Sequence, residues 1–422
     1  MPNWISIPLF LLVVLALATA GLWGFISLGA FLPPLPGWLI VLLKVGIIVF
    51  GFVMGLSSLM TLLGDRKQSA KIQNRVGPNR ATFFGMSLWG IPHFIADGLK
   101  MLLKENTIPD GANKFLHTIA PALAFVPALL GWAIIPFMDQ YCTGQVAVTQ
   151  SYPYSQCIGG EYRNYFQIMH LNSGLLFAFA IAAVEVYGAA IAGWSSNNKF
   201  SLLGAIRSAA QMISYEVSLG LSLAGILMIY GTLDLNVMAR MQGELLWGWI
   251  PAWGIFLQPV AFFIFFLAGM AETKRAPFDL PEGESEIIAG YYTEYSSMKF
   301  AIIELSEYAA AVFLAALAAV LFLGGWQVPF LFDNGFHFGG IDPVAAGAMS
   351  ATPDIAVPYP LVIAMRIVSM CFKTIVLVWL QFMLRWTLPR FRYDQVMVLG
   401  WKVLLPLALA NLLVTGLVAM IL

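Results

Sequence analysis

Four carboxylates stand in sequence where carboxylates are expensive. Glu185 lies in FAFAIAAVEVYGAAIAG, Glu216 in QMISYEVSLG, and Glu304 and Glu307 in AIIELSEYAAAVF. An ionisable side chain inside a bilayer costs roughly 2.5–3.5 kcal/mol on insertion scales. Such a residue either handles protons or is neutralised by a partner. Glu304 and Glu307 are three residues apart and so share one helix face. Lys44, Arg366 and Lys373 are the other charges in apolar runs. For Lys44, Arg366 and Glu304, nearer the ends of their runs, pairing or snorkelling to an interface is the favoured reading. For Glu185, Glu216 and Glu307, which have no basic residue in the same helical turns, proton handling is favoured.

A second concentration of chemistry is the segment ETKRAPFDLPEGESE (272–286), where Glu272, Asp279, Glu282, Glu284 and Glu286 crowd around Lys274 and Arg275. A charge run is usually a solvated loop. This one also holds Pro277, Phe278, Leu280 and Pro281, which are rigid and apolar for a free linker, so it is expected to pack against the bundle or a partner. Crowded carboxylates raise one another's pKa, which suits proton uptake near neutrality. Residues 83–104, with Asp97, Lys100 and Lys104 near their end, are apolar between basic flanks. They read as a helix lying at the membrane interface, either a surface anchor or a doorway for a lipid-like substrate.

The elements that must hold these groups follow from composition. The 422 residues are 60% hydrophobic and 10% charged, against roughly 25% charged in soluble domains; a soluble enzyme is excluded. The 22 basic and 22 acidic residues balance, so net charge gives no reason to expect nucleic acid as a partner. Long apolar runs recur at 5–32, 39–63, 119–138, 171–194, 212–230, 250–271, 301–326, 359–384 and 396–422. Each is close to or above the roughly 20 residues that span the hydrocarbon, and a backbone in lipid must satisfy its own hydrogen bonds, so these are helices. Alternating strand patterns are missing, which rejects a β-barrel. Segments 64–82, 97–117, 195–211, 272–300 and 385–402 hold 17 of the 22 basic residues, whereas 139–170, 231–249 and 327–358 hold only Arg163 and Arg240. By the positive-inside rule the first group faces the cytoplasm.

Cys142 and Cys157 share an outward loop, where a disulfide is one reading and two free thiols the other; Cys371 lies in an apolar run and is read as packing. With no cysteine cluster, four scattered histidines and no haem-attachment or dinucleotide fingerprint, the chain is expected to bind no redox cofactor of its own and no metal.

Several stretches together resemble one family: GDRKQSAKIQNRVGPNR (64–80), IADGLKMLLKE (95–105), AGWSSNNKFSLLGAIRSAAQMISYEVSLGLS (192–222), AETKRAPFDLPEGESEIIAGYYTEYSSMKF (271–300), SEYAA (306–310), FLGGWQ (322–327) and LPRFRYDQVMVLGWKVLLPL (388–407). It is the membrane component of respiratory complex I that forms the quinone tunnel, known in bacteria as the H subunit of NADH-quinone oxidoreductase and in mitochondria as subunit 1 of NADH dehydrogenase. The resemblance covers 39–422 in the family's order. It implies an all-α polytopic bundle of eight core helices; the apolar run 5–32 reads as an extra N-terminal anchor helix in 1–38, with a cleaved or interfacial segment as the alternative, 83–104 as an interfacial amphipathic helix, and 139–168 and 327–358 as outward insertions.

The resemblance further implies a component of the bacterial inner membrane that is inert alone, its cytoplasmic loops meeting a cluster-bearing hydrophilic arm, with an antiporter-like arm alongside. Quinone would be the substrate; NADH, FMN and iron–sulfur clusters would belong to partner subunits. Carried over, Asp97, Glu216, Glu272 and Glu307 match the family's proton-relay acids. Asp65, Arg66, Arg275 and Asp279 would lie at the quinone cavity, and Glu282, Glu284 and Glu286 would line its funnel. The family usually carries Glu where Asp65 stands, and uncharged residues where Glu185 and Glu304 stand. Two rivals remain from the sequence, the equivalent component of a membrane-bound hydrogenase and a stand-alone transporter; the acid-rich loop favours the first assignment, and the missing internal repeat disfavours the transporter.

Overall fold

A computed structural model describes residues 37–46, 48–49, 53, 55–82, 90, 92–148, 155–163, 166–246, 250–338 and 351–421. The expected anchor helix in 1–38 and most of 83–91 lie outside them. Besides short turns of helix, the described helices are α1 (Gly37–Val45), α2 (Gly55–Met60), α3 (Pro92–Leu103), α4 (Lys114–Leu130), α5 (Gly174–Ser195), α6 (Lys199–Tyr230), α7 (Leu235–Met241), α8 (Pro259–Glu272), α9 (Ser297–Phe322), α10 (Tyr359–Thr387) and α11 (Tyr393–Ile421). Six of them are long and apolar enough to cross a membrane: α4 with its 3-10 extension to Ile134, α5, α6, α9, α10 and α11. The molecule is a polytopic helical membrane protein, as its composition requires.

Local chemistry sets the ends. Asn113 and Asn198 cap α4 and α6, their side chains accepting from Leu116 N and Phe200 N, which satisfies donors the helix leaves open. Gly231, at φ 63°, closes α6 in the left-handed conformation that a glycine adopts without penalty. One apolar run behaves differently from expectation. Residues 250–271 do not form one spanning helix, because Pro259 cannot continue a ladder from below. The helix starts there and is only 14 residues long, after a separate turn at Gly254–Leu257.

At the centre stands α9, buried on nearly every side from Glu307 to Phe322. Around it pack α4, α8, α10, α2, α3 and α7, while α6 draws together α5, α8 and α11. Small residues let backbones close, as membrane interfaces prefer. A Cβ at Gly188 of α5 would stand 2.6 Å from the backbone nitrogen of Ala124 in α4, and one at Gly193 would overlap the Ala205 methyl of α6.

The loops gather into two sets. At one end Asn113 N donates to Ser195 O, Thr107 meets Ser296, and Phe391 N donates to Pro277 O; these are the basic segments. At the other end lie the insertions. There β1 (Tyr141–Cys142) pairs with β4 (Tyr162–Arg163), and β2 (Gln145–Val148) with β3 (Ser155–Ile158). A hairpin of β5 (Leu245–Leu246) and β6 (Ile250–Pro251) follows, then β7 (Leu331–Phe332), β8 (Gly335–Phe336) and β9 (Ile355–Ala356) in one small sheet. Cys142 and Cys157 are joined by a disulfide, and Cys371 is buried and free.

Both insertions are pinned by one knot of charge. Asp139 accepts from Arg240 Nε at 2.7 Å, Arg366 of α10 pairs with Asp333, and Asp139 lies 3.9 Å from Arg366. The Arg366 guanidinium lies over the Trp326 ring at 4.8 Å. Lys373 donates to Gly325 O and Gln327 O at 2.9 and 2.6 Å. Pairing, favoured from sequence for Arg366, accounts for that charge.

Candidate functional site

At the basic end the chain widens to π geometry over Thr61–Gln68, which carries Asp65 and Arg66. Asp65 Oδ1 accepts from Arg385 at 2.8 Å, and Oδ2 accepts from Arg275 at 3.3 Å and from the Tyr308 hydroxyl. The Arg275 guanidinium lies over the Tyr308 ring at 3.5 Å. A carboxylate one methylene short of the family's Glu is therefore still shared between two guanidiniums and a phenol.

Around this hub is a cavity of about 30 Å³ open to the centre of a water molecule. Lys274, Arg275 and Arg385 face Asp279, Glu282, Glu304 and Glu307 across it, with Tyr308 at the side. A smaller recess, walled by Met270, Ala311 and Phe382, adjoins it through Arg275 and Arg385. Asp279 Oδ2 accepts from Arg390 at 2.8 Å, and its Oδ1 accepts from Glu282 N. Burial pushes the Asp279 carboxyl up, opposed by the Arg390 charge. Burial, then the charges of Asp279 and Glu307, pushes Glu282 up to about 8, with Arg385 and Arg275 opposing. Arg275 Nε is buried and has no hydrogen-bond partner among the described residues.

From the cavity wall a line of acids runs into the bundle. Glu307 Oε1 lies within hydrogen-bonding reach of the hydroxyls of Tyr291, at 3.2 Å, and Tyr292; the two phenol oxygens are 2.9 Å apart, and their two hydrogens serve two of the three contacts at a time. Glu185 pairs with Lys274 at 3.3 Å, both nearly fully buried. Glu272 Oε2 is buried without a partner among the described residues. Glu185 and Glu272 line a separate cavity, about 20 Å³ of which is open to water centres, enough for a water molecule. The charges close enough to act on one another link Glu282 to Glu307, Glu307 to Glu185, Glu185 to Glu272 and Glu272 to Glu216. Glu216 is only half-buried in the isolated chain.

The expected residues are thus partly gathered and partly separated. Arg275, Asp279 and Glu282 share one cavity with Asp65 bonded at its wall, and Glu307, Glu272 and Glu216 are members of the line. Asp97 is not among the acids linked in this line. It sits on α3, a third exposed, paired with Arg66 at 2.5 Å and 3.9 Å from Lys100. No residue of α3 is buried, so its acid is held at the rim of the bundle. Arg66 is spent on Asp97 and not on the cavity. Glu286 is exposed and turns to Arg207 at 2.5 Å, away from the cavity that Glu282 faces; the Glu284 side chain lies outside the described residues.

Glu185, conspicuous in the sequence but outside the expected relay, fills the step between Glu307 and Glu272. Sequence reasoning gave no site role to Lys274, and missed Arg385, Arg390 and the tyrosines 291, 292 and 308; the density of Tyr in GYYTEY and of Arg in LPRFRYD points toward Tyr291, Tyr292 and Arg390, and nothing comparable marks Arg385 or Tyr308. Among the described residues no group of three or more His, Cys, Asp or Glu side chains is placed to hold a metal.

Residues 44–416 match the NADH dehydrogenase family. The chain is 40% identical over 379 residues to the second H subunit of NADH-quinone oxidoreductase of Koribacter versatilis, covering 90% of this chain and 96% of that one. It is 41% identical over 383 residues to the H subunit of the Thermomicrobium roseum oxidoreductase, with 90% and 96% covered. To the H subunit of Flavobacterium johnsoniae it is 38% identical over 374 residues, with 88% and 92% covered. Matches of this length take in every helix that carries the cavity and the acid line, and the chain belongs to the NADH dehydrogenase family, among the H-type membrane subunits of NADH-quinone oxidoreductase.

Proposed function

We propose that this chain forms the chamber in which complex I reduces quinone, together with the carboxylate relay that couples the reduction to proton pumping. The observation that carries the reading is the polar cavity itself. Three cations and four acids meet there, and a buried guanidinium nitrogen, Arg275 Nε, is left with a proton to donate. A quinone that gains electrons becomes an anion that needs charge-assisted donors and then protons. Arg275 and Arg385 supply the first, Arg275 being free to do so because Asp65 and Tyr308 already fix its plane. Glu282, held up to about 8, is protonated at neutral pH and supplies the second.

Electrons come from partner subunits in the hydrophilic arm, where NADH, FMN and the iron–sulfur clusters reside; this chain contributes the cavity and its protons. Re-protonation of Glu282 and its neighbours draws on Glu307, Glu185, Glu272 and Glu216 in turn, each within reach of the next one's charge. Asp97 and Arg66 serve the rim, where the exposed apolar face of α3 (Phe94, Ile95, Leu99, Leu102, Leu103) meets lipid and gives a lipid-soluble substrate its way in. The basic end faces the cytoplasm of a bacterial inner membrane and docks the hydrophilic arm; antiporter-like subunits take the acid line onward. Residues 39–422 act as one core, with 1–38 as an added anchor.

Replacing Glu216 with Gln in the assembled complex tests the relay. Quinone-linked turnover or proton pumping is expected to fall roughly tenfold or more, with NADH:ferricyanide activity of the hydrophilic arm intact. Coupled turnover equal to the parent's removes Glu216 from the path.

A further inference from the structure

We propose that Gln211 is a positioning residue for the quinone cavity: its amide clamps the two ends of the turn Ala271–Phe278 and so sets Lys274 and Arg275 in place. The proposal rests on the cavity reading above. Gln211 lies fully buried in α6, one turn before Tyr215 and Glu216. Its Nε2 stands 2.5 Å from Ala271 O and 2.8 Å from Phe278 O. Both partners are carbonyl oxygens, so only the NH₂ edge of the amide can face them, and its two hydrogens serve one carbonyl each.

Everything between those carbonyls belongs to the site. The turn carries Glu272, Lys274 and Arg275, and Lys274 holds φ 56°, a left-handed conformation that a non-glycine residue keeps only when its surroundings impose it. On the α6 side the Phe278 ring leans on Tyr215, centroids 5.7 Å apart; on the far side it leans on Phe391 at 5.5 Å. Phe391 N donates to Pro277 O at 2.9 Å and Arg390 holds Asp279. These far-side contacts fix only the end of the turn. Among the described residues Gln211 alone bridges its two ends through one nitrogen, so it sets how far Lys274 and Arg275 project toward Glu185 and Asp65. Its Oε1 is buried without a donor among the described residues, so an apolar side chain of the same length leaves no new orphan on the Gln211 side.

The test uses Gln211→Met in the intact membrane-bound complex, with a short-chain quinone as substrate. Expected are normal assembly and NADH:ferricyanide activity, a KM for quinone raised roughly tenfold with kcat within about twofold, and faster hydrogen exchange in the 272–283 peptide. Tenfold is the size of one or two net hydrogen bonds. Gln211→Glu adds a second readout. Only its protonated form can donate, and to one of the two carbonyls, so its KM should fall partway toward the parent's at acid pH and worsen at alkaline pH. A merely structural glutamine gives no such dependence. An unchanged KM and unchanged exchange in the Met variant overturn the proposal, as does failure of both variants to assemble, which would make Gln211 a folding residue. Arg275→Lys separates the two levels: if it raises KM and Gln211→Met does not, the clamp alone is wrong; if neither moves KM, the cavity reading falls with it.

Discussion

Glu282 faces the cavity from a loop that gives its carboxyl no basic partner at bonding distance among the described residues, with the charges of Asp279 and Glu307 acting on it. Its ionisation near pH 8 has two consequences with a defined sign. A carboxyl whose pKa is raised by folding favours the native state while protonated, and that contribution is lost as pH climbs from the unfolded value of about 4.5 toward 8. Quinone-linked turnover should likewise show an ionisation near 8, absent from Glu282→Gln; a pH profile of membranes carrying each form checks this. The acids are legible in sequence because burying charge is expensive, which singles out Glu185, Glu216 and Glu307 before any geometry is known. The phenols are not. Tyr291 and Tyr292 sit in sequence that reads as packing, and only the fold shows both hydroxyls turned to one oxygen of Glu307. Asp97 is the converse case: its motif is recognisable, but the side of the bundle it occupies is a property of α3 and its neighbours.

Hydropathy locates the elements well wherever length is unambiguous. The run at 359–384 is helix α10 to within three residues, and 171–194 is α5. It fails in two ways that have physical causes. Helix α6 begins at Lys199, well before the apolar run at 212, because the polar first turns are held by the Asn198 cap and by packing against the acidic loop. The run at 250–271 breaks at Pro259, a signal present in the sequence and outweighed there by mean hydropathy. Close helix packing is also invisible in one dimension, since a glycine in an apolar run does not announce what it touches. At Gly188 the neighbour is the Ala124 backbone, which cannot yield as a side chain would. Gly188→Leu should therefore force α4 and α5 apart at a cost of roughly 1–3 kcal/mol, seen as a lower melting temperature of the purified complex; a variant melting with the parent would mean the two helices already tolerate separation.

Across the whole molecule, the distribution of Lys and Arg sorts the loops into the same two sets that the structure brings together at opposite ends. The insertions at the far end carry their own cross-link. Alkylation of the denatured, unreduced chain should label Cys371 alone, and reduction should add two further labels at Cys142 and Cys157, read by intact mass. Labelling of all three without reductant would leave that end held by hydrogen bonds and ion pairs only. Among those ion pairs, Asp139 comes from one insertion, Asp333 from the other, and Arg366 from the helix between the second insertion and the basic end. Deleting either segment by itself would leave a guanidinium with half its counter-charge under a roof of tryptophan. Anyone grafting this end of the bundle onto a relative, or trimming it for crystallisation, would have to trade both insertions and Arg366 as a single module.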